Sequence, residues 1–319
     1  MTVAARPTPR WINWLLCAAI VVTIAVAYAN TLHAPFIFDD YNAIINNTHM
    51  RSLLPLSQSM TEDKGTVLFG RPLVCFSMAV NYHFAKIFLN ADGVPEPDPL
   101  GFHLFNIATH MIAALLLFGL IRRTLLLPRW EGKYISSATW IAGAAMLIWA
   151  VHPIQTESVT YITQRTETMM AMFLLLTLYA VLRASQSRRP LYWSFLAILA
   201  CAAGMASKEI SIIIPLVVAL YDWIFLGPRR RGAVTLLLYI GLALTWIILP
   251  IELSGADWDS KSGYGTRYVH RFDYLKTQAG VILYYLRLCF WPRGFSIDYF
   301  DWPIVRTLAP AIIPGTIIL

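Results

Sequence analysis

Seven apolar runs of about 15 to 21 residues dominate the chain, at 11–29, 101–121, 137–151, 168–183, 191–206, 211–226 and 233–250. About 20 helical residues, each rising 1.5 Å, cross the ~30 Å hydrocarbon core of a bilayer. Of the 319 residues 57% are apolar and 13% charged, about half the charge of an average soluble domain. The reading is an all-α polytopic membrane protein, one transmembrane domain over 1–319 with residues 30–100 as its first outer loop. Segments 275–291 and 308–319 are weaker span candidates, because Arg287 falls inside the first and the second stops short of a crossing. That last run suggests a chain truncated before its true C-terminal architecture.

The net charge of +7 lies in the loops, and its distribution argues for a membrane protein rather than a nucleic-acid binder. With the N-terminus in the cytoplasm, the inner loops hold twelve basic residues, including Arg122, Arg123, Arg183 and Arg229 to Arg231, against one acid, Glu131. The first three outer segments hold six basic residues and ten acids, the asymmetry of a positive-inside protein. A multi-pass protein of a bacterial inner membrane or an ER membrane is expected, with its working side extracytoplasmic. Ala27-Tyr28-Ala29 resembles a signal-peptidase site, but the run before it exceeds a signal peptide's apolar core, so the first span is read as uncleaved. Within the first outer loop, Pro72 to Phe88 is too polar to cross and apolar enough to lie on the membrane, as an interfacial helix or one packed on other outer loops.

Cys17, Cys201 and Cys289 lie in apolar runs and Cys75 stands apart, so no disulfide or metal framework follows. A phosphate-binding loop, a dinucleotide glycine fingerprint and a His-Glu-x-x-His helix are all missing from the sequence. The inner loops are too small for a nucleotide-sugar domain. Any group transfer then takes its energy from a donor delivered by the membrane.

Candidate chemistry gathers on the outer side. Asp39 and Asp40 follow the first span; one ionised carboxylate can take a proton from an acceptor hydroxyl while the other orients it. A turn with a helix cap is the plainer explanation of the pair. Arg71, Arg165 and Lys208 sit at membrane edges, where a phosphate needs an Arg fork or a Lys point charge, or where they snorkel or pair with Glu167 and Glu209. Glu157, Glu167 and Glu209 are candidates to orient those cations. His152 precedes Pro153 at the end of the third span, and His103 shares a helical face with His110, so His103 and His152 are cavity candidates. No metal ligand set is assigned, and whether a divalent ion takes part is left open.

Taken in order, Asp39-Asp40, Gly70-Arg71-Pro72-Leu73, Gly101-Phe102-His103-Leu104-Phe105-Asn106, His152-Pro153-Ile-Gln-Thr-Glu157, Gln164-Arg165-Thr-Glu167 and Ser207-Lys208-Glu209 with Tyr221-Asp222 resemble one family. It is the transmembrane-and-tetratricopeptide-repeat protein O-mannosyltransferases and their bacterial relatives, C-type glycosyltransferases that use polyprenyl-phosphate sugars. The resemblance runs from about residue 12 to 300. It implies a C-type transmembrane bundle and an inverting transfer of a sugar, mannose first, from a lipid-phosphate donor to Ser or Thr of an extracytoplasmic protein. By that match Asp39 is the general base and Asp40 its orienter or substitute. Arg71, Arg165, Lys208 and Arg287 hold the departing phosphate. The family's tetratricopeptide repeats are not readable before Leu319, which leaves acceptor choice open.

Three other readings compete. Transfer of the same kind of sugar to a lipid or cell-wall glycan is one; a transporter or flippase, with ionisable residues at mid-membrane and paired broken helices, is another. A non-catalytic membrane scaffold is the third.

Overall fold

Straight-chain and small apolar residues make the runs good helix formers, and in lipid every backbone N–H and C=O must be satisfied within the segment. The helices are α1 (Arg10–Tyr28), α2 (Pro72–Phe84), α3 (Leu100–Leu125), α4 (Ala138–Ala150), α5 (Arg165–Gln186), α6 (Pro190–Met205), α7 (Ile214–Tyr221), α8 (Ala233–Leu244) and α9 (Arg271–Phe290). This computed structural model describes residues 8–61, 66–90, 93–227, 232–252, 254, 270–297, 299 and 302–305. They fall in two compact units, Met1–Ser254 and Gly255–Leu319. Arg6, Arg229 to Arg231, most of the polar stretch expected between 252 and 270, and the run from 308 lie outside the described residues.

Five helical stretches are long and apolar enough to cross a membrane: Arg10–Thr31, Leu100–Leu125, Ile162–Gln186, Glu209–Leu226 and Ala233–Glu252. Their outward faces carry large apolar side chains such as Trp14, Ile112, Leu216 and Leu236, as lipid contact requires. The protein is an all-α polytopic integral membrane protein. α4 and α6 are apolar but have 13 and 16 residues, about 20 and 24 Å of helix, less than the hydrocarbon core.

In the first unit, α3 and α5 pack against each other and make the centre; α4 and α1 lean on α3, and α6 leans on α5. Three clusters form its core. One joins α1, α3 and α4 around Ile24, Phe118 and Met146. Another joins α5 through α8 around Leu182, Met205, Val218 and Leu242. The third seats α2 and the chain before it, through Phe36, Ile44, Met50, Val74 and Met78, on Phe102 of α3 and Ile162 and Met169 at the start of α5. α2 thus has its buried face on protein. It ends at Phe84, and Ile87 to Leu89 pair antiparallel with Pro95 to Pro97 instead of continuing the helix to Phe88. The turn explains the switch: Asn90 N–H donates to Val94 O and its side chain accepts from Val94 N–H, while Gly93 takes the positive φ the turn needs.

The second unit holds α9, where Lys276 pairs with Asp273 at 2.7 Å and Tyr284, Tyr299 and Trp302 pack edge to face.

One ionised side chain lies wholly inside the first unit. Arg165, the first residue of α5, is 0% exposed. Its Nε donates to Asn106 Oδ1 at 2.7 Å, Nη1 to Ser77 Oγ at 3.1 Å and Nη2 to Phe102 O at 3.0 Å, and the guanidinium lies 4.2 Å from the Phe105 ring centroid. One fork therefore joins α2, α3 and α5, a geometry that an ammonium cannot reproduce. We expect Arg165→Lys to lower the unfolding free energy in detergent by about 2–4 kcal/mol, from two lost charge-assisted bonds. An unchanged thermal midpoint would remove this role.

Candidate active site

After α1 the chain runs to a buried Phe36, and Phe38 adopts φ of +44°, a left-handed conformation uncommon and costly for a bulky residue. That bend starts a helical turn in which the two adjacent acids part company. Asp40 points inward and is 1% exposed; its Oδ2 accepts from Ile37 N–H at 3.1 Å and its Oδ1 from Thr163 N–H at 2.9 Å. Burial pushes its carboxyl up to about 6; the two N–H bonds oppose the rise and the neighbouring Asp39 charge adds to it. Asp39 points to solvent, and its backbone N–H donates to Tyr161 Oη at 3.0 Å. Among the described residues its carboxylate is in no hydrogen bond or ion pair.

The segment 157–167 connects these acids to the cations. Tyr161 and Thr163 hold Asp39 and Asp40, the carbonyl of Ile162 accepts from Asn106 Nδ2 at 3.3 Å, and Gln164 Nε2 donates to Glu157 Oε1 at 3.4 Å. One turn into α5, Glu167 forms an ion pair with Lys208. Glu157 is exposed, yet partial desolvation raises its carboxyl, the Glu167 charge raises it further, and the Lys208 charge lowers it.

Lys208 follows α6, where its N–H and that of Ser207 close on Gly204 O. The next residue, Glu209, takes Arg71 in a two-pronged pair, Nε to Oε2 at 3.1 Å and Nη2 to Oε1 at 2.9 Å. Arg71 is presented by Gly70, whose φ of +74° turns the chain, and by Pro72 at the start of α2; Leu73 N–H donates to Ala206 O at 3.1 Å and ties the two loops. Arg71 and Lys208 thus stand together, each partly exposed and each already matched with a carboxylate.

The remaining expected residues are placed otherwise. Arg165 sits inside the protein with protein acceptors on Nε, Nη1 and Nη2, so its contribution to a phosphate site is indirect. His103 is buried on α3, where one ring nitrogen meets Ala34 O at 3.1 Å and Nδ1 has no hydrogen-bond partner. His110, on the same face, meets Ala150 O at 2.9 Å and stacks on Trp149, which makes it a core residue. His152 holds the Pro153–Gln155 turn by accepting from Ile154 N–H at 3.2 Å. Arg287 belongs to the second unit, exposed on α9 with its guanidinium 6.0 Å from the Tyr284 ring centroid.

Four residues at the site are not among the sequence candidates for chemistry: Asn106, which closes one of the resemblance motifs, Tyr161, Thr163 and Glu252. The first three bond across more than fifty positions. Glu252 carries a buried Oε2 without a hydrogen-bond partner, close enough to Glu209 for their charges to repel. Its one sequence signal is its position, an acid closing the last firm apolar run. Among the described residues no group of three or more His, Cys, Asp or Glu converges as metal ligands would.

Residues 100–252 match the family model described as dolichyl-phosphate-mannose-protein mannosyltransferase. Relatives include protein O-mannosyl-transferase Tmtc2 of Drosophila melanogaster, 33% identical over 210 residues, 62% of this chain and 20% of that protein. Human protein O-mannosyl-transferase TMTC4 is 27% identical over 223 residues, 63% of this chain and 28% of the relative. Drosophila Tmtc1 is 32% identical over 216 residues, 65% and 22%. This chain spans about a fifth to somewhat over a quarter of the length of these curated relatives. No solved structure matches it. The matched membrane region, which contains Arg165, Glu167, Lys208 and Glu209, makes the chain similar to the membrane part of these protein O-mannosyl-transferases.

Proposed function

We propose that this chain carries the membrane catalytic domain of a protein O-mannosyltransferase, which moves mannose from a polyprenyl-phosphate donor to a Ser or Thr hydroxyl of an extracytoplasmic protein, with inversion. The observation that carries this reading is the segment 157–167, which joins an open carboxylate, Asp39, to the cation pair Lys208 and Arg71. The names of the relatives supply the reaction class and the protein acceptor. The basic loops between the spans support an outward-facing site.

In the proposed step Asp39 takes the proton of the acceptor hydroxyl, whose oxygen attacks the anomeric carbon from the face opposite the phosphate. The bond from that carbon to the phosphate oxygen breaks, and its electron pair leaves on the lipid phosphate, which gains one negative charge. Arg71 and Lys208 stabilise that growing charge. Glu167 and Glu209 hold the two cations in place before the donor arrives, and Glu157 adds its charge beside Lys208. Asp40 keeps the Asp39 turn on the 161–165 segment.

General-base catalysis contributes roughly 10²–10⁴-fold. Membranes containing Asp39→Asn should therefore lose on the order of 10²–10⁴ in transfer of radiolabelled mannose from polyprenyl-phosphate mannose to protein, with donor binding kept. Equal transfer would remove Asp39 from the reaction. A folded wild-type protein inactive with every sugar and protein acceptor tried would point to a lipid acceptor or to transport.

Arg71→Gln and Lys208→Gln should each lower kcat/KM for the donor about tenfold, chiefly through kcat, the 1.4 kcal/mol scale of one charge-assisted contact, and leave the acceptor KM in place. Donor kinetics unchanged in both variants would exclude the phosphate assignment.

Asp40 gives a stability test. The native carboxyl holds its proton to about pH 6, whereas an ordinary one releases it near 3.8, so between those values the native state binds more protons than the unfolded chain. This group's contribution, on the order of 3 kcal/mol, is complete below about pH 4 and lost as pH rises through 6. Relative to Asp40→Asn, the wild-type unfolding midpoint in detergent should fall between pH 4 and 7. Parallel pH profiles would contradict it.

A further inference from the structure

Between α2 and α3 the chain forms a two-stranded hairpin, β1 (Ile87–Leu89) and β2 (Pro95–Pro97). Its register sets Ile87 opposite Pro97, Phe88 opposite Glu96 and Leu89 opposite Pro95. On either side of those pairs, Asp98 N–H donates to Lys86 O at 2.8 Å and Asn90 N–H to Val94 O at 3.0 Å. Hydrogen-bonded and non-hydrogen-bonded pairs alternate along an antiparallel ladder. Residues 86, 88 and 90 therefore turn their backbone groups toward β2, and the N–H and C=O of Ile87 and Leu89 point the other way, off the open side of β1.

The two sides of the hairpin are unlike. On the outer side of β2, Pro95 and Pro97 stand at the two positions whose N–H would face outward, and proline has none. β2 also packs against Tyr41–Ile45, the turn that follows Asp39 and Asp40. β1 has no such guard. Ile87, Phe88 and Leu89 are 48%, 56% and 72% exposed, and among the described residues nothing bonds to the outward N–H or C=O of Ile87 or Leu89. An exposed apolar strand edge with open donors and acceptors is a template for another chain.

Those backbone groups decide what can sit there. Lipid would cover the Ile87 and Leu89 side chains but leave two N–H groups and two carbonyls without partners, which a hydrocarbon environment does not tolerate. A helix satisfies its own backbone and has none to offer. An extended polypeptide presents N–H and C=O toward one side at every second residue, the spacing of Ile87 and Leu89, and its side chains opposite them share their face of the sheet. The fitting occupant is an extended segment with apolar residues at alternate positions.

We infer that the open edge of β1 binds an extended polypeptide segment, adding it to the hairpin as a third strand about 4.8 Å beyond β1. On the transferase reading above, and resting on it, that segment belongs to the protein acceptor, held beside the turn that carries Asp39. The strand addition itself does not depend on the transfer reaction.

The test is fluorescence-anisotropy binding of a labelled ten-residue peptide of alternating Val and Gln to the purified full chain in detergent. The peptide has no Ser or Thr, so its binding is read apart from sugar transfer, and a failure of the transferase reading would leave the result standing. Two further peptides carry backbone N-methyl groups, one on every Val and the other on every Gln. Because a strand edge meets only one side of an added backbone, one of these should bind at least tenfold more weakly than the other. Leu89→Pro, which deletes an outward N–H and leaves the pairing with β2 in place, should weaken the unmethylated peptide at least tenfold, whereas Leu89→Val should keep it within twofold. Ile87→Pro carries the test if Leu89→Pro shows no cooperative unfolding transition. No binding of the unmethylated peptide, equal affinity of the two methylated ones, or full affinity in the proline variants would overturn the inference. So would a dimer of the chain that binds no peptide and dissociates in Leu89→Pro, since a second copy would then occupy the edge.

Discussion

A guanidinium without solvent is tolerated in a protein only if its N–H groups and its charge are both answered. Arg165 meets the first demand with Asn106, Ser77 and the Phe102 carbonyl, and the second with Asp40, the carboxylate whose charge acts on it. Because those partners come from α2, α3 and the turn after α1, satisfying one side chain fixes four parts of the chain. The 161–165 segment is pinned between them.

That constraint explains why two carboxylates adjacent in sequence differ so much. Asp40 is drawn inward to Thr163 N–H and to the buried cation, and Asp39 is turned out by the same bend. Environments that separate a pair of titratable groups are a common way to assign them different work. Here the inward acid acts on geometry, and the outward one is left open for chemistry. The left-handed φ at Phe38 is the local strain that accompanies this arrangement.

Much of this was readable from the residues. Hydrophobic run length gave the helices, because helix formation in lipid depends on local composition. The Asp39-Asp40 pair stood out, and so did the alternative that Arg71 and Lys208 pair with Glu167 and Glu209. Which cation takes which acid was not readable: Lys208 reaches back 41 positions to Glu167 and Arg71 forward 138 to Glu209. Arg165 shows the limit most clearly. An Arg opening an apolar helix looks like a membrane-edge residue in any linear pattern, and its burial depends on an Asn and a Ser 59 and 88 positions away. The end of α2 was missed for a different reason, since the Asn90 to Gly93 turn outweighs the apolar pattern of Ile87 to Leu89.

Electrostatic matching then bears on the proposed site. At the Asp39 end, each partly exposed cation already has its carboxylate, so in the proposed reaction a lipid phosphate would compete with Glu167 and Glu209 for Arg71 and Lys208. Such competition weakens ground-state binding more than transition-state binding, because only the departing phosphate carries the second charge that repays the exchange. The preformed pairs are therefore consistent with a site built for a developing anion.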